Sequence, residues 1–278
     1  MRTRAITGVL FVIVMLASVM LGPLVFAGFY LLISCFCLFE FYGLIKQNTA
    51  GPNAIVGIVT GALLFAAFAV ICYSGVFSIP VFAGMNIGHK LLFLLPIASA
   101  AIFVSELFKK SEAPFTNIAY TYLGLIFTIV PFTFFHGLAY ATGGFNLYMP
   151  LGFLIMLWSN DTGAYLVGRA IGRTKLFERH SPKKTWEGFI GGAFISVAAA
   201  RIFGHYHTGL AMQHWIIMAL IISIVGTTGD LVESMLKRSI NVKDSGGILP
   251  GHGGLLDRFD GLLLAAPIVY TYLYFISN

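Results

Sequence analysis

The feature that most restricts this chain is a succession of apolar blocks, each close to the length of a membrane crossing. A helix needs about 20 apolar residues to traverse the hydrocarbon core of a bilayer. Candidate blocks fall at 5–21, 24–45, 53–75, 90–107, 117–137, 148–170, 186–204, 215–236 and 259–276. Turn-forming pairs separate them, among them Gly22-Pro23, Gly51-Pro52, Ala113-Pro114, Gly143-Gly144 and Ser181-Pro182. Charged residues make up 10% of the chain and hydrophobic ones 58%, whereas a soluble domain carries roughly 25% charged residues. Such a chain cannot cover its own surface in water. The expected fold class is all-α: a polytopic integral membrane protein of about nine transmembrane helices, forming a single membrane domain over 1–278.

The formal charge of +6 raises the question of a nucleic-acid partner. Its distribution favours membrane topology instead, and no nucleic acid is expected. With a cytoplasmic N-terminus, alternate connections place 15 of the 17 basic residues on the cytoplasmic side, leaving only Lys90 and Arg201 outside. That excess is the usual orienting signal. Arg2 and Arg4 before an apolar run resemble a secretory signal, but Pro23 leads directly into a second block, so a retained first span is expected. Cys35, Cys37 and Cys72 all lie within apolar runs and read as buried thiols.

Polar chemistry concentrates in two connections, 161–188 and 230–260, which hold eight of the eleven acidic residues. Carboxylates inside a membrane are costly and default to a functional reading. At a helical rise of about 1.5 Å per residue, Asp161 lies roughly 13 Å and Asp230 roughly 9 Å inside its span. Asp257 and Asp260, three apart, read as one face at the start of the last helix. Asp161, Asp230, Asp257 and Asp260 can therefore converge on one cytoplasmic-side cavity, where oxygen donors suit a hard cation such as Mg²⁺. Charge pairing competes with that reading: Glu233 with Lys237 and Glu106 with Lys110 are spaced for simple salt bridges. Asp230 has no basic residue at that spacing.

The loop from Lys243 and Asp244 to His252, Gly253 and Gly254 mixes cations with five glycines. Glycine lets backbone N–H groups approach an anion closely. Flanked by Lys237, Arg238 and Arg258, this loop reads as a polyphosphate site, although it lacks the pattern of a Walker loop. In the other connection, Ser181-Pro182 reads as a helix cap and first turn. Lys183 and Lys184 there are placed to attract a phosphate or, equally, to anchor the cytoplasmic face beside Trp186. Arg169 is a further candidate for the same phosphate. Glu40, near the end of the second block, has no evident role. His205, His207 and His214 read as polar loop residues.

Ser234, Lys237, Arg238, Lys243, Asp244, His252, Gly253, Gly254, Asp257, Arg258 and Asp260 together form a pattern that resembles the phosphatidate cytidylyltransferase family, also called CDP-diacylglycerol synthases. The stretches Asp161–Arg169 and Ser181–Gly188 resemble it too. The resemblance implies that CTP and phosphatidic acid give CDP-diacylglycerol and pyrophosphate with Mg²⁺. It also implies a multi-span, often dimeric fold with a divalent cation and a monovalent one, such as K⁺, near Asp230 and Asp257. On this reading Asp230, Asp257, Asp260 and Lys237 are catalytic, and Asp161 joins the three aspartates as a metal ligand. Arg238, Lys243, Asp244, His252, Gly253, Gly254 and Arg258 hold the nucleotide, and Lys183, Lys184 and Arg169 the lipid phosphate. Residues 1–145 would be a scaffold that dimerises, and 146–278 the catalytic helices and loops, in a bacterial inner membrane or its equivalent with the active site facing the cytoplasm.

Two rival families share some of these features. A CDP-alcohol phosphotransferase would need an arginine soon after Asp260-Gly261, but Leu262, Leu263, Leu264 and Ala265 follow. An ion-coupled secondary transporter fits buried carboxylates, yet the charge lies in loops rather than at mid-membrane and no inverted repeat is visible.

Overall fold

Proline and glycine divide the apolar blocks, and several helices of the computed structural model, which describes residues 2–76, 87–246 and 253–277, begin or end beside them. Helix α1 (Arg2–Met20) stops before Gly22, whose φ of 100° suits glycine, and Pro23 opens α2 (Pro23–Asn48). Helix α3 spans Ala54–Val76. Helices α4 (Ile87–Leu92) and α5 (Leu95–Leu107) form a rod broken just before Pro96. Helix α6 (Pro114–Gly124) runs through a π-helical turn, Leu125–Ile129, into α7 (Val130–Leu138). Pro131 has no N–H to return to the preceding turn, and its ring crowds the carbonyl four residues back; the wider turn ahead of it relieves both problems.

Next come α8 (Tyr148–Ile171), a hairpin of β1 (Lys175–Phe177) and β2 (Ser181–Thr185), and α9 (Trp186–Tyr206). Helix α10 (Met212–Ile221) passes through a second π-helical turn, Ile222–Gly226, into α11 (Thr227–Ser239). A 3₁₀ turn at Leu256–Arg258 then leads into α12 (Asp260–Ser277).

Among the described residues, six helices are long and apolar enough to cross a membrane: Pro23–Gln47, Ala54–Ser74, Ile87–Leu107, Pro114–Leu138, Trp186–Tyr206 and Met212–Ser239. The all-α, polytopic membrane fold is thus as expected. The other three expected crossings correspond to α1, α8 and α12. Thr7–Met20 and Asp260–Ile276 are shorter apolar stretches, and α8 carries Asn160, Asp161 and Arg169. All three contribute residues to the lining of the cavity described below.

The interior is aromatic. Phe26, Tyr30, Phe41, Tyr42, Phe65, Phe132, Phe135, Phe153 and Trp215 are fully buried. Ring contacts join the two halves of the chain, Phe132 with Phe259 at 5.0 Å and Phe135 with Phe153 at 5.4 Å. The outer surface is also apolar: Ile55, Leu107 and Phe194 are 79%, 79% and 76% exposed. In water that exposure would be unfavourable, whereas lipid tails are as apolar as the side chains themselves.

Helices α8 and α9 pack through small residues. A Cβ on Gly192 would stand 2.7 Å from the Asn160 carbonyl oxygen, and one on Gly163 3.1 Å from Gly192 Cα. Ser196 Oγ donates across the same contact to the Met156 carbonyl at 3.0 Å. Close backbone approach of this kind is how helices associate where no hydrophobic force drives them together. Gly192→Val is therefore expected to destabilise the protein by about 1–3 kcal/mol. Thermal unfolding in detergent checks this; an unchanged midpoint would contradict the packing described.

Candidate active site

The connection between α8 and α9 differs from the sequence expectation. Ser181-Pro182 does not start a helix, because residues 181–185 pair antiparallel with β1, Lys175 opposite Thr185 and Phe177 opposite Ser181. The helix starts where that pairing ends. Thr185 is its cap, with Oγ1 accepting from Gly188 N at 3.2 Å. The Glu187 carboxylate accepts from Arg173 N and Thr174 N, each at 3.1 Å, and Trp186 N donates to the Thr174 carbonyl at 2.9 Å. These bonds tie the hairpin to α9, so Lys183 and Lys184 are carried on a strand.

That strand forms part of the rim of a cavity of about 640 Å³. All four aspartates singled out in the sequence line it: Asp161 from α8, Asp230 from α11, Asp257 from the 3₁₀ turn and Asp260 from the start of α12. Arg169, Lys183, Lys184 and Arg258 line it as well. The apolar part of its wall includes Phe11 and Val12 of α1, Trp158 and Phe189.

Asp230 has no basic residue three or four positions away on its own helix but is not unpaired. The Lys184 ammonium forms an ion pair with its Oδ2, and Ser234 Oγ donates to Oδ1 at 3.3 Å. Lys184 is therefore committed to a carboxylate, while Lys183 has no acidic ion-pair partner among the described residues.

Asp257 and Asp260 do not share a helix face as the spacing suggested. Phe259, at φ −117°, separates the 3₁₀ turn from α12. Lys237 bridges Asp257 at 2.6 Å and Glu233 at 3.2 Å, so the expected Glu233–Lys237 pair is present with a second acid added. Asp257 also accepts from Ser245 N at 3.0 Å and Gly254 N at 2.9 Å. Burial alone would raise the Asp257 pKa, but the Lys237 ammonium and these two N–H groups together hold it below the ordinary carboxylate value. Asp260 Oδ1 accepts from Gly261 N at 2.6 Å. Elsewhere, Glu106 pairs with Lys109 at 3.1 Å rather than with Lys110, and Asn117 Nδ2 donates to it at 2.5 Å.

The four carboxylates share one cavity, but among the described residues no three acidic, histidine or cysteine side chains stand close enough to hold an ion as they are. Lys184 and Lys237 occupy oxygens of Asp230 and Asp257. The donors are hard oxygens, of the type Mg²⁺ takes.

Of the nucleotide candidates, Arg258 lines the cavity, and Gly253 (φ 81°) and Gly254 approach Asp257. Arg238, Lys243 and Asp244 are exposed and outside the lining, with Arg238 Nη1 donating to the Val242 carbonyl at 3.3 Å. His252 lies outside the described residues. Sequence reasoning left Glu40 without a role, yet its Oε2 accepts from Leu256 N at 2.8 Å, beside Asp257; an acid in an apolar span was the available signal. His207 stacks on Tyr148 at 3.9 Å, and His214 Nδ1 bonds the Tyr272 hydroxyl at 2.7 Å.

Residues 2–276 match the profile of the cytidylyltransferase family. The phosphatidate cytidylyltransferase of Bacillus subtilis (strain 168) is 34% identical over 271 residues, covering 97% of this chain and 96% of that protein. Those of Staphylococcus aureus (strain COL) and Staphylococcus haemolyticus (strain JCSC1435) are 33% and 32% identical, with 97% of each chain covered.

An unfolded aspartate titrates near pH 3.9. Stability from the Asp257 contacts is therefore fully present above that value and is lost as the pH falls through the lower folded pKa. Asp257→Asn is expected to cost roughly 2 kcal/mol at pH 7, with the deficit shrinking on acidification. Thermal unfolding of both proteins between pH 3 and pH 7 checks this; a deficit independent of pH would contradict it.

Proposed function

Since this chain belongs to the cytidylyltransferase family across residues 2–276, we propose that it transfers the cytidylyl group of CTP to phosphatidic acid, giving CDP-diacylglycerol and pyrophosphate. The observation that carries the reading is a single cavity where four carboxylates meet four cationic side chains beside an apolar wall, in a chain matched almost end to end by relatives named for this reaction. Nothing in these findings favours the transporter alternative.

An oxygen of the lipid phosphate attacks the α-phosphorus of CTP. The new P–O bond forms as the bond to the bridging oxygen breaks, and pyrophosphate leaves. Both reactants are anions, so the main barrier is repulsion, and catalysis consists of neutralising and aligning them. The lipid phosphate is already ionised, and no general base is required. Lys183, Lys184 and Arg169 hold that phosphate, and Arg258 with Lys237, Arg238, Lys243, Asp244, His252, Gly253 and Gly254 serves the nucleotide. Asp161, Asp230, Asp257 and Asp260 would hold Mg²⁺, which when bound offsets phosphate charge, and the resemblance adds a monovalent cation such as K⁺. For Asp230 to serve, Lys184 must turn from it toward the incoming phosphate, which couples lipid binding to release of a ligand oxygen.

The proposal places the cavity at the cytoplasmic side of a bacterial inner membrane or its equivalent, in a chain of nine crossings. Phosphatidic acid slides in from the adjoining leaflet, its tails along Phe11, Val12, Trp158 and Phe189. Residues 1–145 act as a scaffold through which a homodimer forms, and 146–278 carry the chemistry.

In mixed micelles, pyrophosphate release is expected to require CTP, phosphatidic acid and Mg²⁺ together. Asp230→Asn should lose at least a hundredfold in kcat while still inserting in the membrane. Changing Lys183 and Lys184 to Gln should raise the phosphatidic acid surface concentration needed and leave the CTP titration alone. Release without lipid would contradict the reaction, and a double mutant impaired only toward CTP would move this strand over the nucleotide.

A further inference from the structure

Glu40 lies near the end of α2, in the half of the chain that carries none of the loop motifs, and is only 6% exposed. A carboxylate buried in an apolar helix is costly unless something donates to it. Leu256 N does so, at 2.8 Å. Leu256 opens the 3₁₀ turn Leu256–Arg258, and the first N–H of such a turn has no partner within the turn itself. Glu40 therefore caps the turn that carries Asp257 and Arg258.

Two glycines make this contact possible. A Cβ on Gly246 would stand 2.6 Å from Glu40 Oε1, and one on Gly254 would stand 3.0 Å from Oε2. A side chain at Gly246 would push the loop off the carboxylate, and one at Gly254 would first meet Ser245 Oγ and Gly246 N within the loop. The flanking N–H groups of Ser245 and Gly254 donate to Asp257. The stretches 245–246 and 254–256 are thus gripped twice, by Asp257 from within the loop and by Glu40 from a distant helix. Glu40 Oε1 is buried, has no hydrogen-bond partner among the described residues and lies against Gly246. Glu40 itself is outside the cavity lining.

We propose that Glu40 is a positioning residue for cytidylyl transfer. It fixes the turn that carries Asp257 and presents Arg258 to the triphosphate, and so makes α2 part of the nucleotide site's support. This rests on the function proposed above. Because Glu40 acts on the turn rather than on the strand carrying Lys183 and Lys184, its loss should fall on CTP and spare the lipid.

The test uses Glu40→Met, which keeps length and volume but accepts no hydrogen bond, and Glu40→Gln, which keeps an acceptor oxygen. Pyrophosphate release is measured in mixed micelles with each substrate titrated while the other is saturating, beside the thermal unfolding midpoint. Glu40→Met should lose at least tenfold in kcat/KM for CTP, about 1.4 kcal/mol, with the phosphatidic acid titration shifted by less than about twofold. Glu40→Gln should recover most of that loss. Gly246→Ala, which drives a methyl onto Oε1, should reproduce the CTP defect and decides the matter should Glu40→Met fail to fold. Normal CTP kinetics in Glu40→Met or in Gly246→Ala would overturn the proposal. So would an equal loss toward both substrates, which marks a merely structural role. A wild-type chain releasing no pyrophosphate from CTP and phosphatidic acid would overturn the functional reading beneath it as well.

Discussion

A carboxylate held among membrane-embedded helices must find a counter-charge or a set of N–H donors, because no bulk water is there to solvate it. Much of the candidate site follows from that requirement. Asp230 is satisfied by Lys184, brought from a hairpin far back in the chain. Asp257 is satisfied by Lys237 and two backbone amides, and Glu40 by the amide of Leu256. The Asp230–Lys184, Asp257–Lys237 and Glu40–Leu256 contacts each tie a helix to a hairpin or turn. The charges needed for phosphate chemistry are thereby also the clamps that shape the cavity.

Glycine sets how closely those clamps can work. Gly229 leaves room for the Asp260 carbonyl oxygen, 2.5 Å from where a Cβ would sit, so α11 and α12 meet just where Asp230 and Asp260 project. Gly188 and Gly192 let α9 lie on α8 and bring the hairpin lysines over Asp161 and Asp230. The π-helical turn Ile222–Gly226 lies immediately before α11 and shifts the facing of everything after it, Asp230 included.

Much of this was legible in the sequence because its signals are strong and local. A bilayer imposes a length on apolar blocks, and the expected blocks coincide with helices from α2 to α11. Carboxylates stand out against so apolar a background, which is why Asp161, Asp230, Asp257 and Asp260 could be assigned to one cavity. What stayed hidden depends on tertiary contact. Spacing rules see only the same helix, so the Lys184–Asp230 pair was invisible. The Glu106–Lys109 pair is local, and Lys109 is favoured over Lys110 because α5 ends at Leu107 and the chain turns there. Ser181-Pro182 has the local chemistry of a helix start, and only pairing with Lys175–Phe177 makes it a strand. Glu40 could be flagged as odd but not assigned, since its partner lies 216 residues away.

The central claim is that cytidylyl transfer takes place among these carboxylates. The most direct measurement follows the label from CTP into lipid, with equal amounts of membrane-inserted wild type and Asp257→Asn. Label in the α-phosphate should enter the chloroform-soluble product, and label in the γ-phosphate should leave as pyrophosphate, with both transfers abolished in Asp257→Asn. Lipid labelled from the γ-phosphate would mean phosphoryl rather than cytidylyl transfer. Undiminished α-label transfer by Asp257→Asn would mean the chemistry happens elsewhere.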